Sequence, residues 1–205
     1  MFYETARNDH GLPHDPFKSC VVPRPIGWIT TIDEAGVLNL APFSYFNACG
    51  DHPPQVMYAA GGSHAEGGAK DSLQNVRETG EFVASLATWE QREAMRVSST
   101  HVLRSVDEFA LTGLETEPLR LVRPPRVKGA PIHLECRLYK VFELLADDPA
   151  RFRNWIVVGQ VVGVHIDDSI ITDGRVDQSK FRPIARLGYA DYTTVDSHFE
   201  MPFPD

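Results

Sequence analysis

The chain has 205 residues, of which 42% are hydrophobic and 23% charged, with a formal net charge of −8. That is enough chain for one sizeable core and an ordinary balance for a globule, which argues against disorder. The acidic balance argues against nucleic acid or an anionic membrane as partner, since both reward a basic face, and no run approaches the roughly 20 apolar residues of a membrane helix.

Residues 1–16 are polar and carry Pro13, His10 and His14; they read as an N-terminal arm without the basic and apolar regions of a secretory signal. Cys20, Cys49 and Cys136 are scattered and form no CxxC pair. The expectation is a cytoplasmic protein with reduced thiols, each a small core residue. Phe17 to Val22 is a short apolar run, expected as a first strand, after which Pro23 and Pro25 hold Arg24 extended. Ile26 to Ile32 and Val37 to Phe46 then flank Asp33-Glu34-Ala35-Gly36, a hairpin signal with glycine where a positive φ is needed. Trp28, Thr30 and Ile32 alternate with Ile29 and Thr31, so both faces of this strand are partly apolar, as in a barrel wall. Pro42 removes a ladder donor and belongs at an edge, bend or bulge. Small and hydroxylic residues recur here (Thr30, Thr31, Ala41, Ser44, Asn47, Ala48) and would let a flat ligand lie against the backbone. Gln55 to Ala60 follows the Pro53-Pro54 corner as a further strand.

Gly61 to Gly68 (GGSHAEGG) is glycine-rich but matches neither a Walker A loop nor G-x-G-x-x-G. A helix from about Ala69 to Glu78 is expected to stop near Gly80, with Lys70 and Ser72 in its first turn. Lysine is disfavoured at a helix N-terminus, so Lys70 there points to a bound anion. Glu81 to Ala87 reads as a strand and Thr88 to Val97 as a helix with Thr88 as N-cap. Residues 98–119 are mixed, with a short turn or helix at Asp107-Glu108-Phe109; His101 and Arg104 read as solvated surface. His133 to Leu145 and Trp155 to Ile166 are long strands, the second bent at Gly159 and Gly163. The eight histidines show no H-E-x-x-H or Cys/His cluster, so no metal site is expected, and Ser44 lacks a nucleophile elbow.

Four blocks in order, RPIGW-T-T, NLAPFSYFN, DHPP and KDSLQNVRETGEF, resemble the flavin reductase-like FMN-binding split-barrel family, in the manner of nitrilotriacetate monooxygenase component B. The resemblance spans about Phe17 to Tyr192. It implies a mainly β fold, a six-stranded antiparallel split barrel with peripheral helices over residues 17–192, and leaves 193–205 as a tail. It also implies FMN as cofactor, NAD(P)H as reductant and a homodimer, and leaves room for a monooxygenase partner. Residues carried over as cofactor-binding are Arg24, a positive group aimed at the ligand, Trp28, Thr30 and Thr31 along the ring, Ala41, Pro42 and Phe46 in the next strand run, Ser44 on the phosphate or ribityl chain, and Asn47 on the ring edge or ribityl hydroxyls. Lys70, Ser72 and Asn75 cluster at the phosphate with Asp71 in the same turn, Arg186 contacts the phosphate or helps close the site, and Tyr189 covers the flavin edge. No side chain stands out as a catalytic acid or base. Where many flavin reductases of this superfamily carry Gly-Asp-His, this chain has Val158-Gly159-Gln160, with His165 further on as a strand-end histidine. That departure favours an alternative, an FMN-binding electron-transfer protein that never oxidises NAD(P)H directly.

Overall fold

A computed structural model describes residues 1–150 and 152–204. The first element is a short helix, α1 (Phe17–Cys20), rather than the expected strand. The apolar run conceals a helix start: the Asp15 carboxylate accepts the Phe17 N–H at 2.9 Å and the Pro16 carbonyl accepts the Ser19 N–H at 2.9 Å.

Seven strands form one antiparallel sheet: β1 (Gly27–Ile32), β2 (Leu38–Phe43), β3 (Phe46–Asp51), β4 (Pro54–Gly61), β5 (Glu81–Leu86), β6 (Ile132–Glu143) and β7 (Asn154–Ile166). Their spatial order is β2-β1-β5-β6-β7-β4-β3. The mainly β, split-barrel class stands, with, among the described residues, seven ladder strands where six were expected and no ladder closing β2 onto β3. The β1–β2 hairpin turns through Gly36 at φ +93°, and Val37 N–H donates to the Asp33 carboxylate at 2.7 Å. Pro42 sits on the edge strand, where its missing N–H breaks no ladder bond. The run read as one strand to Phe46 breaks at Ser44-Tyr45, and the chain re-enters the sheet at the opposite edge.

The β6–β7 ladder shifts register at Val158/Gly159 and again between Val161 and Gly163, so the two glycines do mark bends in this wall. A Cβ at Gly159 would collide with the Phe82 ring, and one at Gly163 would lie 2.9 Å from the Glu135 carboxylate. Both bends therefore let a large neighbour press against the backbone.

Strand β1 is covered on both faces. Ile29 joins an inner cluster with Phe43, Tyr58, Phe82 and Val157, sealed by Leu73 and Val76 of helix α2 (Asp71–Thr79). Trp28 joins an outer cluster with Leu40, Met95 of α3 (Arg92–Val97) and Phe109 of α4 (Glu108–Thr112). Helix α3 starts four residues later than the expected Thr88, because Thr88 is buried in a bridge to Pro183. Helix α2 ends as expected, with Gly80 in the left-handed region donating to the Val76 carbonyl. Arg24 and Pro25 pair with Ile184–Arg186 in a small second sheet with Tyr192–Thr194. Of the cysteines only Cys136 is buried; Cys20 and Cys49 are exposed, against the expectation of three core thiols. Among the described residues no helix is long and apolar enough to cross a membrane.

Candidate functional site

A cleft of about 780 Å³ opens between the free edge of β2, strand β4, the N-terminus of α2 and the segment Ser98–Val102. Its size lies in the range of small-molecule and cofactor sites. Ala41 and Pro42 of β2 and Ala59 and Gly61 of β4 keep its walls low, while Phe43, Met57 and Ile156 make it apolar. Ser44 and Tyr45 line it where the chain leaves β2.

One end of the cleft is the first turn of α2. Lys70 is the N-cap residue, with extended backbone (φ −62°, ψ 151°) and no side-chain cap. Its carbonyl accepts from Leu73 and Gln74, which leaves the Asp71 and Ser72 N–H groups as the open donors of the turn. The turn is pinned to the sheet by Tyr58, whose hydroxyl donates to the Ser72 carbonyl at 2.9 Å. Burial lowers the Lys70 pKa, and none of the ion pairs among the described residues includes it.

The acidic neighbour in that turn is neutralised. Arg104 donates to the Asp71 carboxylate and to the carbonyls of Gly67 (2.7 Å) and Ala69 (2.8 Å). His64 accepts the Glu66 N–H at Nδ1 (3.1 Å), so its Nε2 carries the proton and donates to the Val102 carbonyl at 3.0 Å. Nε2 also lies 3.4 Å from Asp71. The glycine-rich loop, the start of α2 and the 98–104 segment are thus one hydrogen-bonded unit. Arg104 was expected as solvated surface; its role was invisible because its partners lie more than thirty residues away.

Six of the fifteen residues expected to hold the cofactor line the cleft: Ala41, Pro42, Ser44, Lys70, Asp71 and Ser72. Thr31 and Asn75 stand behind its wall. The Thr31 hydroxyl accepts from Asn75 Nδ2 at 3.1 Å and from Asn39 Nδ2 at 3.2 Å, so Thr31 and Asn75 orient Asn39, which does line the cleft. Two further residues, Trp28 expected along the ring and Arg24 expected to aim its charge at the ligand, act at one remove instead. Trp28 is fully buried and donates to Ser98 Oγ at 2.9 Å, fixing the start of the Ser98–Val102 rim. Arg24 is buried and donates to the carbonyls of Lys18, Val21 (2.6 Å) and Leu187 (2.7 Å), which sets Phe17 and Lys18 at the cleft mouth.

The remaining five lie off the cleft lining. The Thr30 hydroxyl is buried in the outer core without a partner. Phe46 covers Gly27 and packs on the inner core. Asn47 is exposed and accepts the next residue's N–H at 2.9 Å. Arg186 stacks 4.4 Å over Tyr192 and donates to its hydroxyl and to the Tyr189 carbonyl. Tyr189 is exposed beside His14.

Sequence reasoning missed Asn39, His64, Ser98–Val102 and Glu108 in the lining. The hydroxyl run Ser98-Ser99-Thr100 was the available signal for the rim. His165 is held away from cleft chemistry, with Nε2 2.6 Å from the buried Glu135 carboxylate. Burial works to raise the Glu135 pKa, but the His165 bond and the N–H groups of Leu121 and Val122 outweigh it and hold it low.

The flavin reductase like domain profile matches residues 19–185. An uncharacterized protein of Aquifex aeolicus is 36% identical over 169 residues, covering 82% of each chain. The crystal structure of nitrilotriacetate monooxygenase component B from Bacillus cereus superposes with a TM-score of 0.88 at 25% identity, covering 98% of both chains. The 2-nitrobenzoate 2-nitroreductase of Pseudomonas fluorescens gives a TM-score of 0.83 at 25% identity, covering 100% of this chain and 96% of that one.

Proposed function

The chain belongs to the flavin reductase-like family, and on that premise we propose that it binds FMN in the cleft and transfers hydride from NAD(P)H to flavin. The observation that carries this reading is Lys70: a half-buried cation at an uncapped helix N-terminus, facing a ligand-sized cleft and lacking a carboxylate partner among the described residues. A phosphate there would restore the charge that burial disfavours and accept from the open N–H groups of the first turn.

The residues present fit the cofactor. Lys70 and the Ser72 hydroxyl would hold the phosphate, and Ser44 and Asn39 would bond the ribityl chain. The low walls of Ala41, Ala59 and Gly61 admit a planar ring, and Phe43, Met57 and Ile156 exclude water from it. Bound FMN supplies a two-electron hydride carrier that no side chain provides. The protein's own work is to orient ring and donor face to face and keep the cleft dry.

Losing a charge-assisted bond costs about 1.5–3 kcal/mol, or roughly ten- to a hundred-fold in affinity. Lys70→Ala and Ser72→Ala should each weaken FMN binding on that scale, read by quenching of flavin fluorescence. Unchanged binding in both variants removes the phosphate assignment.

A homodimer and a flavin-consuming monooxygenase partner belong to the same reading. What favours the dimer is a run of exposed apolar side chains, Tyr139, Phe142, Leu145 and Phe152, beside the cleft wall at Leu144. Sedimentation of the purified chain tests it. A second reading, electron transfer without direct NAD(P)H oxidation, is favoured by the sequestered His165 and by Gly159, which is occupied with packing against Phe82. An anaerobic NADH titration of FMN-loaded protein separates the two: bleaching of the flavin band supports the reductase, and a band unchanged by NADH and NADPH supports the carrier.

A further inference from the structure

The cleft is lined by two carboxyl groups in opposite surroundings. Asp71 is matched by Arg104 and lies 3.4 Å from His64 Nε2. Glu108, only 5% exposed, faces no such partner, and none of the ion pairs among the described residues includes it. Its Oε2 accepts the Leu40 N–H at 3.0 Å, an edge-strand donor that the β1–β2 ladder leaves free. A glutamine would satisfy Leu40 equally well. An ionisable group here is therefore not explained by the fold, and Glu108 belongs to the cleft lining.

We propose that Glu108 presents a neutral carboxylic acid to the cleft and donates a hydrogen bond to the ligand held there, while Asp71 stays paired with Arg104; the ligand identity rests on the FMN reading above. Two carboxyls in surroundings this different can take different chemical roles. A neutral acid can donate to a phosphate or carbonyl oxygen; an ionised one in the same place repels an anion.

The surroundings agree. Burial is the largest influence on Glu108 and pushes its pKa up to about 7, with the Leu40 N–H opposing and the Asp71 and Asp107 charges assisting. On its own helix the charged neighbour is Asp107, whose carboxylate accepts the Phe109 N–H. Strand β2 carries no titratable residue, α3 contributes Arg92, Glu93 and Arg96, and the start of α2 contributes Lys70 and Asp71. Across the cleft stand His64, His101 and Lys18.

The test compares FMN affinity of the wild type and Glu108→Gln between about pH 6 and about pH 9, by fluorescence quenching. Relative to Glu108→Gln, wild-type affinity should be level below about pH 7 and then fall, approaching ten-fold per pH unit as the donor is lost. Glu108→Gln keeps a donor at every pH and should lack that fall. The FMN phosphate itself titrates near about 6, but it does so with both proteins and cancels in their ratio. A wild-type measurement guards against a poorly folded variant: the Glu108 side-chain carboxyl carbon, followed by NMR, should titrate near neutrality. Parallel pH profiles for the two proteins, or a carboxyl titrating in the ordinary glutamate range, overturn the proposal and leave FMN binding standing. Failure of the wild type to bind FMN at any pH overturns the FMN reading, and this proposal with it.

Discussion

Removing the Glu135 carboxylate should be among the most damaging changes outside the cleft. This side chain is 1% exposed, yet it is fully partnered. Its Oε2 accepts the N–H groups of Arg120 (3.2 Å), Leu121 (2.6 Å) and Val122 (3.1 Å), and its Oε1 meets His165 Nε2 at 2.6 Å. One buried side chain thus anchors the loop before β6 onto the bend at Gly163. Glu135→Ala strands these donors. Each costs about 1–3 kcal/mol when buried and unmatched, but Leu121 is exposed and water can reach that side of the loop. The sum therefore settles near about 3–5 kcal/mol, the range for breaking a buried charge network by deleting one partner. Glu135→Gln keeps an oxygen for the three amides but loses both the charge and the oxygen that meets His165, so about 1.5–3 kcal/mol is expected. The folded-state pKa of Glu135 is depressed. Its contribution is therefore present above the unfolded pKa and lost as pH falls through the folded one. The gap between wild type and Glu135→Gln should be full near neutrality and narrow only below about pH 4. Urea unfolding followed by circular dichroism at both pH values measures this. A Glu135→Ala variant within about 1 kcal/mol of wild type would refute the anchoring argument; a gap independent of pH would refute the charge assignment.

Two other outcomes follow from the same geometry. Gly159→Ala forces a methyl into the Phe82 ring at the β7 bend and should destabilise by about 1–3 kcal/mol, read as a lower urea midpoint; an unchanged midpoint would mean the ring can swing away. Arg104→Gln removes the counter-charge of Asp71 and releases the Gly67 and Ala69 carbonyls. FMN affinity should fall by about ten-fold or more, and amide exchange should quicken over 61–72 while β6 and β7 keep their protection; uniform quickening across the sheet would indicate global loss of stability instead.

Much of the fold was legible because its signals are local. A positive-φ glycine closes the β1–β2 turn, Gly80 stops α2, and Pro42 can only sit on an edge, each within a few residues of its effect. Alternation of apolar residues on β1 correctly placed a core on both faces. The reading failed where a local signal met a competitor: Asp15-Pro16 starts a helix inside an apolar run, and a plausible N-cap at Thr88 lost to a bridge with Pro183, far along the chain.

The cleft divides along the same line. Its end at the start of α2 was visible because Lys70, Asp71 and Ser72 lie together in one turn. Neighbours in the chain were enough for that turn, for Ala41 and Ser44 beside it and for the family. Folding in three dimensions is what makes Trp28 and Arg24 support the rim from behind, sets Arg104 rather than solvent against Asp71, and brings Glu108 to the cleft with no ion-pair partner among the described residues. Those roles depend on burial and on partners brought from distant parts of the chain. A carboxylate and a carboxylic acid are spelled with the same residue, and what surrounds it in three dimensions sets which one the cleft meets.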